Sequence, residues 1–195
     1  MRLPMTIFLI FAPYGAFAAL MLVTSASVSL LCTTLICLAV IAIDVARGRS
    51  IKTLTLGSVV VFTAVGGYLT FVDATLSTTA VKLAVDAGIF LVSLGSIVFR
   101  HPFTMQYAME IVDTETTRLP SFERVNYLIC WAWTGATLLM MVGNIAVLYM
   151  PNLPLWSGVL VAFAARNGAV CFTRWYPQYR KAKYGTPPAS ALLSH

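Results

Sequence analysis

A single arginine, Arg166, lies inside the apolar stretch FAARNGAV at residues 163–170. A charged side chain at the centre of a bilayer costs about 2.5–3.5 kcal/mol on insertion scales, so we expect it to face protein or water. Ionisable groups in this position relay protons, line solute pathways or pair with another buried charge. The polar side chains within apolar stretches that we expect to form such a buried network are Asp44, Lys82, Asp86, Asn144 and Arg166.

Helical spacing groups these side chains. Lys82 and Asp86 stand one turn apart and share a face, and Arg166 shares its face with small residues that let helices pack closely. The other polar positions of these stripes are Thr33, Cys37, Thr63, Gly67, Thr70, Ser93, Ser96, Asn126, Cys130, Trp133 and Thr137, and the small ones are Gly158, Ala162, Ala165 and Ala169. We therefore expect each helix to turn its few polar groups towards a common interior.

The formal charges of this set balance, because Lys82 and Arg166 oppose Asp44 and Asp86. At about 1.5 Å per residue, Asp44 lies near one membrane surface, Arg166 near the middle and Asp86 in the opposite half. Arg166 is within reach of either acid. The set is interpreted as a neutral network that fixes helix register, and the alternative is a solute or proton pathway.

No catalytic constellation accompanies these residues. An enzyme needs a nucleophile–base pair, a metal site or a nucleotide loop, and the sequence has no HExxH, GxSxG or Walker pattern. Ser93 and Ser96 lie near Asp86 without a base. The sequence predicts no enzyme activity, no cofactor and no metal ion.

The composition places the chain in a membrane. Hydrophobic residues make up 59% and charged residues 10%, against about 25% charged residues in soluble domains. A spanning helix needs about 20 mostly apolar residues, and six segments qualify, at about 5–23, 26–46, 54–72, 80–99, 125–149 and 155–173. The sequence predicts an all-α polytopic bundle in one domain, residues 1–175, with a loop at 100–124 and a basic, then flexible tail at 176–195.

The positive charges set the orientation. Eleven of the thirteen Lys and Arg residues fall on one side of the six segments, and the two exceptions lie within spans. By the positive-inside rule both termini are cytoplasmic. The net charge of +6 is therefore a topology signal, and nucleic acid is not an expected partner. The opening MRLPMTIFLIFAPYGAFAAL also resembles a signal peptide, but its apolar run continues to Val23, which favours a retained span.

The long loop RHPFTMQYAMEIVDTETTRLPSFER predicts a short interfacial helix that begins near Pro102. Its apolar face is expected to hold Met105, Met109 and Val112, with Gln106, Glu110 and Asp113 opposite. The residues expected to contact lipid or a partner are Pro102, Phe103, Met105, Gln106, Tyr107 and Met109. The alternative is that the segment packs its apolar face on the bundle and only connects two spans.

The order of these features resembles the bacterial intracellular septation protein A family of small inner-membrane proteins. The matching stretches are IFAPYGAFAA, VFTAVGGYLTFV, TTAVKLAVDAGIF and RHPFTMQY, followed by an LP before the fifth span and by Gly143–Asn144 near its end. The resemblance covers residues 5–175, and its motif positions here are Lys82, Pro102, Asn126 and Asn144. Arg166 has no counterpart in it.

The resemblance implies a non-enzymatic protein of the bacterial inner membrane that acts in septation or envelope maintenance. Its partners would be membrane lipid and membrane proteins of the division or cell-wall-synthesis machinery, and a homo-oligomer is compatible with it. The alternative function is a small transporter or channel with a buried Lys/Asp/Arg polar pathway.

Overall fold

The computed structural model describes the backbone of residues 3–150 and 152–184, and side chains from Pro13 onward apart from those of Leu155 and Tyr184. All regular structure in these residues is helical. The helices are α1 Leu3–Val23, α2 Ala26–Ala46, α3 Thr53–Phe71, α4 Thr78–Val98, α5 Phe103–Ala108, α6 Thr114–Thr117, α7 Pro120–Tyr149 and α8 Leu155–Tyr184. The prediction of an all-α protein is confirmed.

Four helices, α2, α3, α4 and α7, are long and apolar enough to cross a membrane. Large apolar side chains on these helices remain exposed, among them Leu31, Leu35, Val60 and Leu139. Exposed apolar side chains of this kind suit a lipid environment, in which they need not be buried within the protein. The described part of α1 contributes only a shorter apolar helix, Pro13–Val23, and α8 is not among the four, so the six-span count stays a prediction.

Local capping explains two of the helix starts. Ser25 accepts a hydrogen bond from the Val28 amide at the start of α2 (3.4 Å), and Ser77 accepts one from the Ala80 amide at the start of α4 (3.2 Å). These N-caps satisfy amide groups that have no partner within the helix.

The long helices pack in the sequence order α1, α2, α3, α4, α7 and α8, each against the next. Short connections produce this arrangement, because they leave consecutive helices as antiparallel neighbours. The seam between α3 and α4 is tight where a glycine of each helix faces a valine of the other. Gly57 lies against Val92, and Gly88 lies against Val61.

The seam between α7 and α8 uses the small-residue face predicted for α8. Gly158 is buried against Val147 and the backbone of Gly143, while Ala169 is 4% exposed. The Trp133 indole N–H donates to Thr173 Oγ1 further along (3.0 Å). Two members of the predicted small-residue face of α8, Gly158 and Ala169, are thus buried.

The predicted polar stripes hold in α2 and α7 but not in α3. Thr33, Cys37 and Asp44 are buried, whereas Thr63 and Thr70 of α3 are exposed. The buried polar residues of α3 are instead Thr55 and Ser58, near its start. The prediction for α3 is therefore wrong, and the Thr70 hydroxyl donates to the Gly66 carbonyl of its own helix (2.8 Å).

Helices α7 and α8 are longer than predicted. Each has 30 residues, or about 45 Å at 1.5 Å per residue, against about 30 Å for the hydrocarbon core. Helix α7 begins at Pro120, five residues before the predicted span. Residues 176–184, expected to open the tail, continue α8, and residues 185–195 lie outside the described residues.

Candidate functional site: a lysine cluster and Arg166 near Asp86

Lys52 is the centre of a charged cluster where α2, α3 and the long loop meet. Its ammonium donates to Asp44 Oδ2 at 3.0 Å and to Glu110 Oε1 at 2.7 Å. Arg49 lies 3.7 Å from the other Asp44 oxygen. The Lys52 side chain is only 4% exposed, so its charge depends on these two carboxylates. Lys52, Asp44 and Glu110 are called the lysine cluster below.

Gln106 connects the loop to the start of α3 through hydrogen bonds of its side-chain amide. Its oxygen accepts from the Thr53 backbone amide, and its nitrogen donates to Thr53 Oγ1, both at 2.7 Å. Lys52, the residue before α3, supplies no side-chain cap. Gln106 therefore caps α3 from a distant part of the chain and satisfies an amide group at its first turn.

Helix α5 packs inward on the bundle. Phe103 and Tyr107 are 4% and 7% exposed, and Thr104 donates to the Asn126 carbonyl of α7 (2.8 Å). The Tyr107 hydroxyl shares a hydrogen bond with Thr55 (3.2 Å). Burial raises the pKa of the Tyr107 phenol to about 12, so its hydroxyl stays protonated at neutral pH.

These contacts correct the prediction for the loop. Phe103 and Tyr107 were expected to meet lipid or a partner, but both lie in the core of the bundle. Gln106 and Glu110 were expected on a face opposite the apolar one, yet they contact α3 and Lys52. The physical reason is that the start of α3 and the Lys52 ammonium need hydrogen-bond partners, which these side chains provide. The helix ends at Ala108, and Met109, just beyond it, is 50% exposed.

The second site lies further into the bundle, where Asp86 of α4 meets α7 and α8. Asn144 donates its side-chain amide to Asp86 Oδ2 at 2.7 Å. Both Arg166 and Lys82 attract the Asp86 carboxylate electrostatically. No ion pair of 4.0 Å or shorter joins either cation to Asp86 within the described residues. The direct Lys82–Asp86 pair that the spacing allowed is not formed.

The described neighbours of Arg166 come from two other helices, α1 and α4. Its guanidinium lies 6.0 Å from the ring centroid of Tyr14 in α1, within the range of a cation–π contact. It donates no hydrogen bond to any residue that the structure describes. Of the two predicted acids, Asp86 is its electrostatic partner, whereas Asp44 belongs to the lysine cluster.

Of the positions that carry the family resemblance, Lys82 and Asn144 flank Asp86. Pro102 is fully buried beside α5, and Asn126 donates its amide to the Phe122 carbonyl of its own helix (2.9 Å). Met105 is half-buried. The predicted residues thus lie in two places. One is the region of α5 and the lysine cluster, and the other is the Asp86 site.

Sequence reasoning did not single out Lys52 as a site residue, because it was counted among the topology-setting charges. Tyr14, Thr55 and Ser58 were also missed. For Thr55 and Ser58 a signal was available, since polar residues three apart at a helix start share a face. Nothing in the sequence indicated that Tyr14, 44 residues from Ser58, would donate to it.

Comparison of the chain with protein-family models, with curated proteins and with solved structures finds no match.

Proposed function

We propose that this chain is a bacterial inner-membrane protein with six spans and cytoplasmic termini, and that it acts as a non-enzymatic interaction protein in septation or envelope maintenance. The observation that carries the proposal is how the interior polar groups are used. Lys52, Asp86, Tyr14 and Trp133 each bond across to another element of the same chain. The interior therefore holds the helices together, and the outward surfaces are left for partners.

The partner surface lies at the basic end of α8. Trp175 and Tyr179 are 55% and 40% exposed, and their rings stack at a centroid distance of 5.0 Å. Large, rigid aromatic side chains are frequent energetic centres of protein interfaces. Arg174 and Lys181 flank the pair, which suits a partner with an acidic surface. This location replaces the loop helix, whose Phe103 and Tyr107 are not accessible.

We expect Trp175→Ala to reduce recovery of partner proteins at least tenfold, because truncating an interface centre costs about 2 kcal/mol or more. The measurement is purification from native membranes in gentle detergent, followed by quantitative mass spectrometry of co-purifying division and cell-wall-synthesis proteins. Trp156→Ala is the matched control, since Trp156 is 64% exposed at the other end of the same helix.

Equal recovery with the two variants, at equal protein yield, would contradict the assignment of this surface. Recovery of the wild-type protein without any such partner would count against the proposed function itself.

A second candidate function is a small transporter or channel, and one observation favours it. Arg166 is a cation among apolar helices whose guanidinium makes no hydrogen bond to the described residues, with Asp86 and Lys82 nearby. Intramembrane ionisable groups in this state often line a route for protons or solutes.

If this candidate is correct, proteoliposomes that contain the wild-type protein will take up protons when a potassium diffusion potential is imposed. Asp86→Asn should then reduce the proton flux at least tenfold, since Asp86 is the acidic group beside Arg166 and Lys82 among the described residues. The readout is a pH-sensitive dye inside the vesicles, and Asp73→Asn, in the exposed turn after α3, is the control. A wild-type flux equal to that of empty vesicles would reject proton transport.

A further inference from the structure

A small cavity lies between the two sites described above. Four hydroxyl-bearing residues line it, Tyr14 of α1, Thr55 and Ser58 of α3, and Tyr107 of α5, and Pro13, Leu54 and the Cys37 thiol complete the lining. It has room for about one water molecule. A cavity of this size that offers two to four hydrogen-bonding partners can retain an ordered water, whereas empty cavities are usually lined by apolar groups alone.

The four hydroxyls form two separate pairs. Tyr14 and Ser58 are 2.6 Å apart, and Thr55 and Tyr107 are 3.2 Å apart. Thr55 and Ser58 are three residues apart on α3 and so lie on one face, at about 5–6 Å between their Cβ atoms. That separation suits one water molecule placed between the pairs.

In the Tyr14–Ser58 pair both hydroxyl protons are already used in hydrogen bonds, so this pair can only accept further ones. The single Ser58 proton is donated to the Leu54 carbonyl at 2.7 Å. The hydrogen bond between Tyr14 and Ser58 must therefore use the Tyr14 proton. Each hydroxyl has one proton and two lone pairs, so this pair keeps free lone pairs and has no free O–H group.

The Thr55–Tyr107 pair has one hydroxyl proton that is not used within the pair. Whichever of Thr55 and Tyr107 donates to the other, the hydroxyl that accepts still carries its own proton. A buried donor without an acceptor costs about 1–3 kcal/mol. A water molecule in the cavity would accept from this pair and donate to the other, so the two pairs are complementary.

We propose that one ordered water molecule occupies this cavity and joins the Thr55–Tyr107 pair to the Tyr14–Ser58 pair. The completed row runs from the lysine cluster to Arg166. At one end the Lys52 ammonium lies 5.8 Å from the Tyr107 ring centroid, and at the other the Arg166 guanidinium lies 6.0 Å from that of Tyr14. The water couples the position of the loop helix to that of α1.

A double-mutant cycle tests this coupling in the full-length protein in detergent micelles. Tyr14→Phe and Tyr107→Phe each remove one hydroxyl and keep the ring, so both cation–π contacts persist. The two hydroxyls belong to different pairs, and without a bridging water their losses in melting temperature should add. With the water, the first substitution already disrupts the bridge, and we expect the double variant to lose clearly less than the sum of the single losses.

The control cycle combines Tyr14→Phe with Thr104→Val, whose hydroxyl bonds to α7 outside the cavity, and we expect additive losses. Additive losses in the main cycle would overturn the proposal. Equal non-additivity in both cycles would also overturn it, because it would show general loosening of the bundle. If a tyrosine variant fails to fold, Thr55→Val combined with Ser58→Ala provides the same test with the same criteria.

Discussion

Lys52→Met should lower the free energy of unfolding by about 3 kcal/mol. Methionine preserves the length of the side chain and removes the charge, so Asp44 and Glu110 lose their shared cation. Removing one partner from a buried ion pair typically costs about 3–5 kcal/mol, because the remaining charge is left uncompensated. We expect the lower end of this energy range because Arg49 still lies 3.7 Å from Asp44 and compensates part of its charge. Thermal unfolding of the purified protein in detergent measures the loss.

Lys181→Met is the matched control, because Lys181 is exposed on α8 and a surface substitution should change stability by less than about 0.5 kcal/mol. The combination Lys52→Met, Asp44→Asn and Glu110→Gln should recover part of the loss by removing the orphaned charges. Equal stability of the Lys52→Met and Lys181→Met variants would show that the lysine cluster contributes little to the fold.

The second large effect is expected at Gly88 in the seam between α3 and α4. A Cβ atom there would lie 2.6 and 2.7 Å from the two γ carbons of Val61. Valine is stiff at χ1 and cannot rotate both methyl groups away. Overpacking of this kind costs about 1–3 kcal/mol, so we expect Gly88→Ala to lower the free energy of unfolding by about 2 kcal/mol, despite the better helix propensity of alanine.

Gly67→Ala in α3 is the control, because a Cβ atom there meets nothing within 4 Å. It should be neutral or should stabilise the protein by up to about 1 kcal/mol, the usual gain of alanine over glycine inside a helix. Val61→Ala should rescue Gly88→Ala by opening the required space. A Gly88→Ala variant as stable as the Gly67→Ala variant would show that the seam is looser than described.

Both predictions concern contacts that hold the interior together, and they bear on the proposed function. A bundle whose polar groups are bonded to one another presents a fixed surface to its partners. The close glycine–valine contacts of α3 and α4 add rigidity at the centre of the helix row. The aromatic pair Trp175 and Tyr179 is therefore displayed on a defined scaffold.

The sequence was sufficient to predict the helical class and the approximate bounds of the long helices. Apolar segments of about 20 residues leave few alternatives to a helix, because every backbone polar group must be satisfied within the segment in lipid. Helical periodicity also placed Thr33, Cys37 and Asp44 in the interior of α2, and the small-residue face of α8 against a neighbour. These are local properties, fixed by spacing along one helix.

Which polar groups contact one another depends on how the helices pack. Glu110 lies 58 residues from its partner Lys52, and Gln106 lies 53 residues from its partner Thr53. No periodicity within one helix indicates contacts over such sequence separations. Charge balance allowed Arg166 to pair with Asp44 or Asp86, and the packing of α2 against α3 assigned Asp44 to Lys52. The loop helix turned its aromatic residues inward for the same reason, since the start of α3 and a buried ammonium required hydrogen-bond partners that only the folded chain brings together.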